Sequence, residues 1–517
     1  MNANKNKGSS RLCPEEQKEL SANWQIAQTR DEPRDIEPLI RLHSDGIPRV
    51  LGAPLLARRN KKSSGAALAY MLVFIFAVST VLFPLATNVV QQVKTIHTKV
   101  TREQAIQIAE AGINYYQWHL AHFPNDYQDG TGQAGPYIHE YRDFDTQTIL
   151  GQFSLTVIPP VVGSTIVTIK STGWNNDTPA ITRTVTAKYG IPSLALYAFL
   201  SNDVIWIGDN ETVGGQLQSN NGVRFDGVGN APIQSAKLTY TCPASQGSPC
   251  PAIKNGVWGS ASQAVQNFWK FPVPAVDFST LTSNLATMKA SAQSAGIYLP
   301  PSNAQGYSLV FVSDGTVRIY KVTSLRSNPT GWDVNYVAHN ERVDYNNRTL
   351  QFTQAIPANG IIYVEDKTWV EGTVKGRVTV AAAQLPYNPS TAPTIYIPAN
   401  ILYLAKDGTN VLGLLAQKDI VVTYYAPSTI EIDAALVAQN GSAQFFYYPN
   451  NIKTSITTYG AIMTFGQWTW TWVNGSNQVV SGYINTNSIY DGDLLYGPPP
   501  SFPFSTSGYQ LLNWASD

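Results

Sequence analysis

Four groups of residues in this chain have types and spacings that could carry chemistry. Glu431 and Asp433 alternate within "TIEIDAAL", and Glu365 stands next to Asp366. Carboxylates placed this way can share acid and base work or hold a divalent ion, as in β proteins that cleave polysaccharides. A solvated strand face uses the same residues, and that is the reading adopted. His119 and His122 lie three apart on a helical pattern. Two imidazoles at that spacing can meet a metal, but no carboxylate or cysteine downstream completes a set, so interface packing is expected and no metal site. Cys242 and Cys250 close the Pro/Gly/Ser loop "TCPASQGSPCP". A disulfide is expected rather than two free thiols in a loop, because the topology below places the pair outside the cell in an oxidising compartment. Trp468, Trp470 and Trp472 alternate along "QWTWTW". One strand face carrying three indoles can stack on sugar rings, a possible glycan contact, or it can cap a β core, the reading expected first. No phosphate loop, nucleophile elbow or Cys/His arrangement occurs. An enzyme is therefore not expected, nor is a cofactor.

The elements that must position these residues begin at the membrane. The stretch "RRNKKSSGAALAYMLVFIFAVSTVLFPLATNVVQQVK" has no charge from Ser63 to Val93, with Lys62 and Lys94 as its bounds. Its most apolar part, Ala66 to Val90, rises about 1.5 Å per residue as a helix. That is enough to cross a hydrocarbon core about 30 Å thick. Arg58, Arg59, Lys61 and Lys62 crowd its N-terminal side. The positive-inside rule puts residues 1–62 in the cytoplasm and the chain beyond about residue 90 outside. The span starts too far from Met1 and runs too long for an ordinary signal peptide. The polar tail before it, which contains Cys13, shows no apolar period and reads as disordered. Across all 517 residues Lys+Arg equals Asp+Glu, at 35 each. That balance argues against a nucleic-acid partner, which calls for a basic excess.

Beyond the span Val93, Ile96, Val100, Ala105, Ile108, Ala109, Ile113, Tyr116 and Leu120 recur at mostly three-to-five-residue spacings. One helix is expected to continue from the membrane until Pro124 and Asp129-Gly130 end it. Basic patch, Gly65, apolar helix with internal Pro84, and "QAIQIAEAGINYYQWHL" together resemble the type IV pilin and pseudopilin superfamily, most closely its minor pilins. The resemblance covers roughly residues 58–125. It implies cleavage by a prepilin peptidase between Gly65 and Ala66, and association with other pilin-like subunits as a homo- or hetero-oligomer. Pilins carry Glu at the fifth mature position, where this chain has Tyr70. A carboxylate in the bilayer is costly and retained for a function. Its absence favours a minor, tip or cap component over a shaft subunit.

The remainder is rich in short strands and turns. "GQFSLTVIPPVV", "STIVTIKSTGW" and "ITRTVTAKYG" alternate apolar and polar residues and predict a small antiparallel sheet against the upper helix. Residues 204–225 align with 401–422 without a gap, and weaker copies start at Gly413, Ala435 and Ala461. Spacings of about twenty-two to twenty-six residues suit a solenoid, read as a right-handed parallel β-helix, with a β-sandwich as the alternative. A helix capped by Thr280, with Leu281, Leu285, Met288 and Ala292 on one face, and a hairpin at Asp314-Gly315 interrupt the repeats. The expected fold is thus α+β. Its parts are a cytoplasmic leader (1–65), a membrane and amphipathic helix (66–125) and a small sheet domain (126–190). There follow a first stretch of β-helix (191–256), an α/β insertion (257–350), further β-helix (351–467), and an aromatic hairpin and tail (468–517). The expected role is a single-pass surface protein of pilus type displaying an adhesive ectodomain, with a surface glycan or host cell as possible partner. The alternative is a membrane-anchored carbohydrate-binding or polysaccharide-active β-helix protein.

Overall fold

A computed structural model describes residues 64–517 apart from 162, 279–284, 477 and 506–507. Cys13, the basic cluster and most of the 1–65 leader lie outside the described residues, as do Thr280 and Leu281. The chain divides into two units, Met1–Ala86 and Thr87–Asp517. One helix, Ser64–His122, contributes to both and contains Pro84.

Within the first unit the helix presents apolar side chains to its surroundings. Leu68, Phe74, Phe76 and Phe83 are all exposed. Its hydroxyls turn inward on the helix itself: Ser79 Oγ donates to the Ile75 carbonyl at 2.5 Å and Thr80 Oγ1 to that of Ala77 at 2.8 Å. Internal satisfaction of polar groups is what a hydrocarbon environment requires.

In the second unit the helix packs only from Ala105 onward; Val93, Ile96 and Val100, placed on the sequence-derived stripe, are exposed. Ile108, Ala109, Ile113, Tyr116 and Leu120 form a core with Phe153, Leu155, Val167, Ile169, Val185, Ala187 and Tyr189. These come from a five-stranded antiparallel sheet ordered Tyr137–Arg142, Ile149–Ile158, Ile166–Asn175, Thr182–Gly190, Gln510–Ser516. The fifth strand is unexpected. From sequence, 510–516 belongs to a stiff aromatic tail; the structure returns it to the small sheet, where Trp514 pairs with Ala187. Everything from 191 to 509 is therefore inserted between two neighbouring strands of this sheet. Small residues let helix and sheet approach. A Cβ added at Gly173 would strike the backbone of Ala105 and Ala109, and one at Gly112 would strike Ser171 and Phe153. The glycine of "AEAG" thus has a steric reason to be there.

The inserted region is a large β body whose main ladder is parallel. In spatial order its strands are Ile297–Leu299, Ile361–Val364, Arg377–Ala382, Val411–Ala416, Thr429–Ala438, Ile452–Thr464, Phe199–Ser201, Leu217–Ser219, Ile233–Ser235 and Trp269–Lys270. One level of this ladder is a continuous apolar column: Ile297, Ile362, Val380, Leu414, Leu436, Ile462, Phe199, Leu217, Ile233, Trp269. All but the partly exposed Trp269 are buried in the principal core. Stacking like on like this way buries each apolar face against its neighbours. The path is unusual. The chain enters mid-ladder at Phe199, winds out to Trp269, restarts at the far end with Ile297, and returns until Ile462 pairs with Phe199.

The sequence repeats map onto this ladder in register: Gly413 pairs with Ala435, and Ala435 with Ala461. The longer alignment holds only in part. Leu217 and Leu414 occupy equivalent levels, but Ile205–Ile207 pairs with Val223–Phe225, whereas Ile401 pairs with Gly372 and Ile432. Much of 257–350 also belongs to the ladder rather than beside it, since Tyr307–Phe311 runs parallel to Thr368–Gly372. The antiparallel pair Thr316–Leu325 and Tyr345–Ala355 is added next to it. A short helix, Leu285–Ala295, packs Leu285, Met288 and Ala292 against Ile361, Tyr363 and neighbours.

Candidate functional site

The helix carries the first set of expected site residues. Gly65 falls in its opening turn and Ala66 follows; Tyr70 is exposed and Pro84 lies inside the helix. At the other end His119 is buried and its Nε2 lies 3.1 Å from Asp126 Oδ2. From sequence, the two histidines have no acidic partner downstream; Asp126, only seven residues on, supplies one. Asp126 also accepts from the backbone nitrogens of Gln128 (2.8 Å) and Gly130 (2.7 Å), and these bonds hold its carboxyl below the ordinary range. His122 turns away to the Trp118 carbonyl. This constellation ends the helix and fixes the turn after it.

Both carboxylate pairs are engaged by neighbouring groups. Lys406 Nζ reaches Glu431 at 2.6 Å and Asp433 at 3.0 Å, and Asp433 accepts from the Tyr403 amide. Glu365 meets Lys289 and the Tyr298 hydroxyl, while Asp366 accepts from Ser302 and Lys367. Each acid fastens one strand or loop to the next. Among the described residues, no three His, Cys, Asp or Glu side chains gather as metal ligands.

The aromatic row divides. Trp470 is fully buried and Trp468 is 7% exposed, packed edge-on to one another and, for Trp468, to Phe199. Trp472 remains half-buried and donates from Nε1 to the Phe445 carbonyl at 2.8 Å. Two of the three indoles therefore belong to the core.

They also border a cleft of about 380 Å³ that sequence reasoning missed. One wall is the segment 467–475. The opposite wall is the loop 244–248, closed by the Cys242–Cys250 disulfide, whose Cα atoms are 5.5 Å apart. Gln467 Nε2 bridges the walls to Ser245 Oγ at 3.3 Å. Residues 204–211 supply a third side, and Val334 and Tyr336 reach in from a distant hairpin. The three-stranded sheet holding Ile205–Ile207 stands apart from the large one, and the cleft lies beside it.

Arg224 organises this region. Its guanidinium lies 4.5 Å from the Trp206 ring centre and 5.1 Å from that of Trp258. It pairs with Asp226 at 2.7 Å and donates to the carbonyls of Gln246 (2.5 Å) and Ser248 (3.0 Å). Loop, indole and carboxylate are thus held by one cation. Gly247 adopts a left-handed φ of 68°, and any side chain there would crowd Trp206 and Arg224. Trp206 Nε1 adds a bond to Asp226 at 3.0 Å. Glu211, half-buried, accepts from the Gly208 amide at 2.7 Å; desolvation pushes its carboxyl up to about 8. The cleft escaped sequence reasoning because the segment 467–475 lies more than two hundred residues from the other two walls. The local signals were the cysteine loop and the tryptophan row.

No family model and no curated protein matches the chain. Among solved structures it is similar to the competence-associated pilin ComZ from Thermus thermophilus, at 13% identity and a TM-score of 0.29, over 81% of this chain and 97% of that one.

Proposed function

We propose that this chain is a membrane-inserted, pilin-like surface subunit whose β body is displayed outside the cell. The observation that carries the reading is the helix Ser64–His122. Its early part offers a predominantly apolar surface whose hydroxyls bond back to the helix, and its later part is seated through Gly112, Gly151 and Gly173 on an antiparallel sheet. In this reading the basic cluster stays cytoplasmic and a prepilin peptidase cuts between Gly65 and Ala66. Exposed Val93, Ile96 and Val100 are then covered by neighbouring pilin-like subunits. Tyr70 makes it a minor or tip component, because no carboxylate stands where a shaft subunit would use one. The inserted body is read as a right-handed parallel β-helix, supported by the apolar column and the in-register repeats. Its task is adhesion, not catalysis.

The test is mechanical shearing of cells followed by mass spectrometry of the filament fraction. The chain is expected there at far fewer copies than the major subunit. Its confinement to membranes after shearing, with none in filaments, refutes incorporation.

A further inference from the structure

The cleft between 204–211, 244–248 and 467–475 has a chemistry of its own. Its reachable aromatic surface comes from Trp206, Trp472 and Tyr336, the last 76% exposed. Amides and carboxyls line it too, among them Asn210, Glu211 and Gln467. Among the described residues no Lys, Arg or His lines it. A phosphate, sulfate or uronate would therefore find no counter-charge. A cationic ligand fares little better, because the acids are already committed. Asp226 is neutralised by Arg224 and bonded by Trp206, and Glu211 is held towards its neutral form by desolvation. That leaves Asp209 as the acid of the lining without such a neighbour.

Apolar ring faces, side-chain amides and hydroxyls, and the absence of counter-charge together match one ligand class. It offers apolar C–H faces and many hydroxyl oxygens, and no charge. We infer that this cleft binds a neutral pyranose unit of a glycan, with Trp206, Trp472 and Tyr336 as the stacking surfaces. This goes beyond the pilin reading and does not rest on it, since the cleft lies wholly within the β body.

Binding is measured with the full chain in detergent micelles, by tryptophan fluorescence and calorimetry. The probes are cellobiose, maltose and N,N′-diacetylchitobiose, with heparin and spermidine as charged comparisons. At least one neutral disaccharide is expected to bind. Tyr336→Ala, an exposed change that leaves the core intact, should weaken it tenfold or more. Trp472→Ala should do the same, with partial rescue by Trp472→Phe. Gly492→Ala, away from the cleft and with nothing within 4 Å of the added carbon, should stay within about threefold of the parent. Absence of binding by all three disaccharides overturns the inference. So does binding of heparin or spermidine alone, or saccharide binding that Tyr336→Ala leaves unchanged. None of these outcomes bears on filament incorporation, so the two readings fail separately.

Discussion

Replacing Gly173 by Val tests how the helix is seated. At Gly173 a Cβ would fall against Ala109 N and Ala105 O, with Ala109 Cα at 3.0 Å. These are backbone atoms, so no rotamer change relieves the overlap. Helix and sheet must separate, which loosens the shared core of Ile108, Ile113, Phe153 and Val185. Overpacking a close-packed interior costs about 1–3 kcal/mol, and contact with backbone places this substitution at the upper end, about 3 kcal/mol. Each 1.4 kcal/mol is a factor of ten. Hydrogen-exchange protection of amides 105–120 should therefore fall by about a hundredfold, while the parallel ladder keeps its protection. Gly475→Ala, with nothing within 4 Å of the added carbon, serves as control and should change protection less than about twofold. Full protection of 105–120 in Gly173→Val refutes the close seating.

Two further outcomes are expected. His339 bonds to Glu341 (3.2 Å) and Asp333 (3.0 Å) and stacks on Phe446; these hydrogen bonds, Glu341 first, raise it to about 8 against burial. A raised histidine stabilises the fold fully below its unfolded value near 6.5, and loses that contribution as pH rises through 8. After solvent screening this is about 1 kcal/mol, and denaturation of His339→Gln at pH 6 and pH 9 should show that difference abolished. Arg377 donates to the carbonyls of Gly408 (2.6 Å), Gly497 and Pro498 (2.7 Å). Arg377→Met leaves these without a donor, should cost about 3 kcal/mol, and should expose 497–500 to protease.

What could be read from sequence depended on whether the cause was local. The apolar span, Pro84 and the "AEAG" helix are runs whose period needs no partner to be seen, and the short repeats at Gly413, Ala435 and Ala461 announced the stacking that the ladder realises. The mid-ladder entry at Phe199 was not legible, because strand neighbours across 263 residues leave no local mark. Nor was the return of Gln510–Ser516 to the small sheet, since an edge strand with mostly exposed side chains carries little apolar alternation. The tryptophans show the same limit. Alternation placed Trp468, Trp470 and Trp472 on one face, but Trp468 packs on Phe199, far away in sequence, and Trp470 packs on Trp468 in turn. For the cleft, the cysteine loop was visible, whereas Trp206, Glu211 and Tyr336 acquire a shared setting only once the chain is folded.

The pilin reading stands most directly on the bond after Gly65. Peptide mapping of the chain recovered from the cell surface, with its N-terminus chemically tagged before digestion, reads that bond. A tagged N-terminus at Ala66, with no peptide from residues 1–63, is the expected result. A tagged Met1 in every copy means that the helix is an uncut anchor and removes the chain from filament assembly.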